Sequence, residues 1–191
     1  GPCYNPNGMK RKITFGSLLA GLASLLLFMG CSGTQSLQEY YVDNSENPNF
    51  LVLDVPANIL KLDEAALSET EKQALRSLRK LNILTFRKTD ANAQSYEEES
   101  AKVKAILKDS EFKELMKLNT KYGRGVVKYL GDEDAIDEVV IYGDSRENGF
   151  AVIRVLGKNM NPAYFVQLLQ AIENADLEGE GLSELAFLIN G

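Results

Sequence analysis

Histidine is absent from all 191 residues of the chain, and so is tryptophan. Without an imidazole there is no Ser-His-Asp or Cys-His nucleophile system and no His-ligated zinc or iron site. Cysteine is nearly absent as well: there are two, Cys3 and Cys31. Cys3 falls in the stretch GPCYNPNG ahead of Met9, and residues 1–8 read as a leader of uncertain origin, an over-extended start or an added remnant, outside the fold argument. That leaves one cysteine, so an internal disulfide is ruled out even for an exported chain in which one would be permitted. Most hydrolase and redox mechanisms fall away together, and the expectation from the residues is a protein that is not an enzyme, with no catalytic residues, no cofactor and no metal.

Basic charge is also in short supply. Lys and Arg number 21 against 27 Asp and Glu, and the charges in residues 1–30 are Lys10, Arg11 and Lys12. Taking those three from the 21 leaves 18 against 27, a balance of −9 for everything from Cys31 onward. That is the wrong sign for holding phosphate backbones, so nucleic acid is not expected as a partner. No basic amphipathic helix is present to bind anionic lipid surfaces directly. With 45% hydrophobic and 25% charged residues, the composition is that of an ordinary folded protein.

The N-terminal region has a three-part build. MKRK from Met9 is followed by an apolar stretch of 17 residues, Ile13 to Met29, and then by Gly30 and Cys31. A cationic start, a short apolar run and a small residue at the break make a secretory signal over residues 9–30. As a membrane-spanning helix the run is short of the roughly 20 residues needed, and Gly16, Ser17, Gly21 and Ser24 dilute it. The junction resembles a bacterial lipobox, in which a thiol after a small residue is alkylated with diacylglyceryl before the signal is cut. Phe28 stands where Leu is usual, although Leu25, Leu26 and Leu27 lie beside it. The expected lipid attachment site is therefore Cys31, the mature N-terminus, carrying palmitate-type acyl chains that hold the protein to a membrane. SGTQSLQEYYVDNSENPN then reads as a flexible tether over residues 31–49. Ser32 next to the cysteine suits an outer-membrane lipoprotein facing the periplasm.

Residues 50–191 are expected to form a single globular domain. FLVLDV closed by Pro56 reads as a strand, Ser68 and Glu71 have capping-box spacing ahead of a helix over 69–80, and NILTFR from Asn82 alternates as a second strand. Ser95 and Glu98 repeat the capping spacing before one or two helices reaching Asn119. From Gly125 the period becomes two, and GVVKYLG, DEVVIYG and GFAVIRVLG, separated by turn-rich stretches, make an antiparallel meander. Asn161 and Pro162 open an amphipathic helix, and GLSELAFLING reads as a last short helix. The expected fold is α+β, with a mixed β-sheet of about five strands, a C-terminal antiparallel meander and helices packed mainly on one face.

The remaining chemistry is carboxylate chemistry. Asp132, Glu133, Asp134, Asp137 and Glu138 cluster between two strands, but Asp137 stands where a calcium loop needs Gly. Asp176, Glu178, Glu180 and Gly181 fit the first half of such a loop, and Phe187 stands where its closing Glu is required. YGRG at 122–125 and GEG at 179–181 lack the lysine pattern of a phosphate cradle and read as turns. Tyr40, Tyr41, Tyr129, Tyr142, Phe150, Tyr164 and Phe165 read mostly as core.

Residues from about 36 to 175 resemble the domain-of-unknown-function family 4252 of small Gram-negative envelope lipoproteins. LVLDVPANILKL at 51–62, LNILTFRK at 81–88 and IDEVVIYGDSRENGFAVIRVLGKNMNP at 136–162 carry the likeness. The resemblance implies an envelope lipoprotein without catalytic residues and an association with extracytoplasmic-function sigma-factor regulation. The leading functional expectation is a lipid-anchored, non-enzymatic binding or regulatory module that presents an acidic surface to a protein partner. A carrier of a small or apolar ligand is the alternative, and a carboxylate-only hydrolase ranks last.

Overall fold

The computed structural model describes residues 33–120 and 123–174. Six strands form one antiparallel sheet: β1 (Phe50–Pro56), β2 (Leu78–Arg87), β3 (Lys113–Thr120), β4 (Gly123–Asp132), β5 (Ala135–Ser145) and β6 (Gly149–Met160). Their order across the sheet is β1-β2-β6-β5-β4-β3. Among the described residues four α-helices accompany it, α1 (Leu37–Asp43), α2 (Glu69–Ser77), α3 (Ala93–Ile106) and α4 (Pro162–Asn174). The α+β class and the C-terminal meander hold, and the meander gains β3 as an extra strand.

The sheet is antiparallel throughout rather than mixed. Pro56 of β1 pairs with Lys80 near the start of β2. The connection runs out through short 3-10 turns at Ala57–Ile59 and Glu64–Ala66 and returns along α2. An out-and-back excursion delivers the chain to the end of the sheet it left, and that makes the pair antiparallel.

The helices divide two and two between the faces instead of gathering mainly on one. In β2, Leu81 and Ile83 belong to one core and Leu84 and Phe86 to the other. Val139 and Val140 split in the same way on β5. Strands apolar on both sides leave two faces to cover. Ala74 of α2 and Phe165 and Leu168 of α4 close the first, whereas Tyr40 and Tyr41 of α1 and Tyr96, Val103 and Ile106 of α3 close the second.

Two local assignments change for physical reasons. The segment 31–49, expected as a flexible tether, folds from Ser36 onward. Ser36 and Glu39 make a reciprocal capping box, and Leu37, Tyr40 and Tyr41 are buried. The globular part thus begins at Ser36, not at residue 50. SEFKELMKLN, expected as helix, supplies β3: a bulge between Glu114 and Met116 disturbs the two-residue alternation, so Leu115 and Met116 mimic helical spacing while packing as strand residues.

Elsewhere the local signals act as read. Ser68 and Glu71 cap α2 reciprocally, and the Tyr164 amide donates to Asn161 Oδ1 at 3.1 Å at the start of α4. α2 stops at Ser77 and α3 starts at Ala93, each a few residues from its expected end. The β5–β6 turn closes at Gly149, whose φ of 117° is open to glycine. A Cβ there would stand 1.9 Å from the Phe86 carbonyl oxygen of the adjoining strand.

Candidate functional site

The densest enclosed polar constellation lies between α3 and β5. α3 places Tyr96, Ser100 and Lys104 four residues apart, one turn above another on the same side. β5 brings Tyr142 and Asp144 to the facing side of the sheet, two residues apart. The Tyr96 hydroxyl donates to Asp144 Oδ1. Asp144 Oδ2 receives the Tyr142 hydroxyl at 3.0 Å, Ser100 Oγ at 3.3 Å and Lys104 Nζ at 3.2 Å. Ser100 and Tyr142 hydroxyls are also 3.1 Å apart. Lys88 Nζ sits 4.4 Å over the Tyr96 ring and donates to the Arg146 carbonyl at 2.7 Å.

The electrostatics follow from those contacts. Burial opposes the charge of Asp144, but the hydroxyls of Tyr96 and Tyr142 and the Lys104 ammonium outweigh it and hold the carboxyl below its ordinary value. Burial, with the nearby carboxylate, raises both tyrosines above their ordinary range. Asp144 is thus a weak base, Tyr96 and Tyr142 are neutral donors, and the donors converge on one acceptor. Chemically the arrangement fixes a charge and clamps α3 to the sheet.

A second constellation joins α1 to the sheet. Arg154 on β6 forks onto Glu138 of β5 at 2.6 and 3.1 Å, and both side chains are largely buried. The hydrogen bonds it donates to Glu138, against the effect of burial, raise the guanidinium above its ordinary value. That guanidinium lies 5.5 Å over the Tyr41 ring. The Tyr41 hydroxyl donates to the Val152 carbonyl at 2.7 Å and stands 3.0 Å from that of Asn82. Tyr40 donates to Glu99 at 2.7 Å, tying α1 to α3.

The residues singled out from the sequence fare differently. Cys31, Asp176, Glu178, Glu180 and the GEG turn lie outside the described residues. Asp132 ends β4, Glu133 and Asp134 form the turn, and Asp137 and Glu138 sit on β5, with Glu138 committed to Arg154. Among the described residues no three His, Cys, Asp or Glu side chains gather as a metal site. Gly123 and Gly125 of YGRG belong to β4. Tyr40, Tyr41, Tyr129, Tyr142, Phe150 and Phe165 are buried core. Asp144 and its partners were missed because DSRENG reads as a turn, although Tyr96, Ser100 and Lys104 at four-residue steps and Tyr142 and Asp144 at a two-residue step were available as a signal.

A family model described as a domain of unknown function (DUF4252) matches residues 40–168. The chain belongs to this family. The DUF4252 span opens at Tyr40 inside α1 and closes at Leu168 inside α4, so it includes both constellations and the Tyr40–Asp43 part of the first helix. No curated protein and no solved structure matches the chain. Among the described residues no helix is long and apolar enough to cross a membrane.

Proposed function

We infer that this DUF4252 protein is an envelope lipoprotein, anchored through a diacylglyceryl group on Cys31, whose folded domain is a non-enzymatic binding or regulatory module acting on a protein partner. The observation that carries the reading is the basic start, the 17-residue apolar run Ile13 to Met29 and the Gly30–Cys31 junction in immediate succession. An outer-membrane position facing the periplasm goes with Ser32, and a link to envelope sigma-factor signalling goes with the family resemblance. The binding role is supported by the use to which the domain puts its polar groups. Asp144 is committed to Tyr96, Tyr142, Ser100 and Lys104, and Arg154 to Glu138, so these groups hold elements in place.

Because Ser36 caps α1 and belongs to the folded domain, the stretch between the proposed anchor and that domain is Ser32 to Gln35 and not the longer tether read from the sequence. The anchor is tested by growing cells that express the chain with a labelled fatty acid. Label is expected on the wild type and lost on Cys31→Ala, with the variant still exported because the apolar run is intact. Label retained on Cys31→Ala overturns the reading.

A further inference from the structure

The two edges of the sheet are built differently. β3, at one edge, carries Lys113, Glu114 and Lys117, all exposed, and a bulge at Glu114/Met116. Charges and bulges are the usual protection of an edge against pairing with another chain. β1, at the other edge, reads Phe50-Leu51-Val52-Leu53-Asp54-Val55-Pro56. Its one charge, Asp54, is neutralised within the chain by Lys80 at 2.6 Å. Leu51 is 39% exposed, and with Val42 it is one of the two large apolar side chains left exposed among the described residues.

The backbone of β1 is correspondingly available. Phe50 gives its N–H to the Asn47 carbonyl and not to β2, so the two-residue alternation of an antiparallel pair turns the N–H and C=O of Val52 and Asp54 away from the sheet. Among the described residues no hydrogen bond reaches that outer side. Pro56 falls on the same alternation, where its missing N–H costs the ladder with β2 nothing.

We propose that the β1 edge pairs with β1 of a second copy of this chain, antiparallel about a two-fold axis through Leu53. The strand's own sequence argues for that occupant. In this register Val52 and Asp54 face Asp54 and Val52 of the second copy, so the outward N–H and C=O groups of these two residues are satisfied in pairs. On the other face Leu51 meets Val55, Leu53 meets Leu53 and Val55 meets Leu51, an unbroken apolar row. Neither Asp54 is placed directly opposite another carboxylate, and each keeps Lys80 beside it. The two sheets become one of twelve strands. The pairing stands on the sheet alone and does not depend on the anchor.

The test uses the full chain in mild detergent, with Cys3→Ser and Cys31→Ser as background. Sedimentation should show a concentration-dependent dimer. Leu51→Lys, which puts a charge into the apolar row at a partly exposed position, should raise the dissociation constant at least about tenfold, with an unchanged circular dichroism spectrum and melt showing that it folds. In the same background Leu53→Cys should cross-link under oxidation, because opposed residues on the axis lie within disulfide reach. Leu51→Cys and Val55→Cys should not, since each would face the other position. A monomer at every concentration, whether the edge stays bare or another segment of the chain covers it, overturns the proposal. So does a dimer indifferent to Leu51→Lys, as would arise from the apolar run at 13–29, or a cross-link that forms equally at all three positions.

Discussion

Asp144 holds four donors on one carboxylate, and its charge is what makes Tyr96, Ser100, Tyr142 and Lys104 a unit. Asp144→Asn keeps the shape, gives up the charge and turns one acceptor into a donor that faces other donors. It should cost about 1–3 kcal/mol at neutral pH, by analogy with other buried charge-assisted hydrogen bonds. Since the folded carboxyl titrates below its unfolded value, its stabilisation is complete above the unfolded carboxylate value, near pH 4, and is lost as pH falls through the folded value. Urea midpoints of wild type and variant, measured down a pH series, should therefore converge at acid pH. A gap that stays constant would mean the charge is not what stabilises the clamp. Residues with a purely local job were legible beforehand: Ser68 and Glu71 cap α2, and Asn161 caps α4, at the spacings their side chains dictate. Asp144 was not, because its role depends on α3 lying across β5, which no local spacing reveals.

α1 shows the same limit at the level of elements. It is one short helix, and isolated helices of that length do not persist in water. Its sequence, LQEYYVD between polar stretches, gave little reason to expect more than a tether. What holds it is the sheet: Leu37, Tyr40 and Tyr41 are each about 5% exposed or less. At roughly 2 kcal/mol for each such side chain, the helix contributes about 6 kcal/mol, comparable with the whole margin of a small domain. A chain beginning at Ser36 should accordingly unfold cooperatively in urea, whereas one beginning at Phe50 should be largely unfolded in buffer. Equal midpoints would show that α1 adds nothing. β3 is the converse case: the apolar spacing of Leu115 and Met116 favoured a helix, and pairing with β4 across a bulge prevailed. The strands of the meander, β4 to β6, are joined by turn-rich stretches, needed no such context and were recognisable from Gly125 onward.

Across the whole molecule, the α+β class was readable from the succession of elements, but the strand order was not, since nothing in a run of alternating residues states which neighbour it will take. The order matters for how the chain reaches its fold. Among the described residues β6 is the last strand in chain order, and it lies between β2 and β5. Before residue 149 exists, β1 and β2 form one ribbon and β3 to β5 another, with no strand to join them. The Tyr41 hydroxyl waits for the Val152 carbonyl, 111 residues later. A native state assembled from such distant contacts closes slowly, because much chain entropy is lost before the contacts repay it. Val152, fully buried at the centre of the sheet, should belong to the closing event and Leu53 on the edge should not. In stopped-flow experiments Val152→Ala is expected mainly to slow refolding, and Leu53→Ala mainly to speed unfolding. Reversed effects would place closure at the edge instead. A sheet that β6 alone can join stays open until residues 149–160 are available, and an open chain is the form in which a polypeptide can be drawn through a narrow translocation channel.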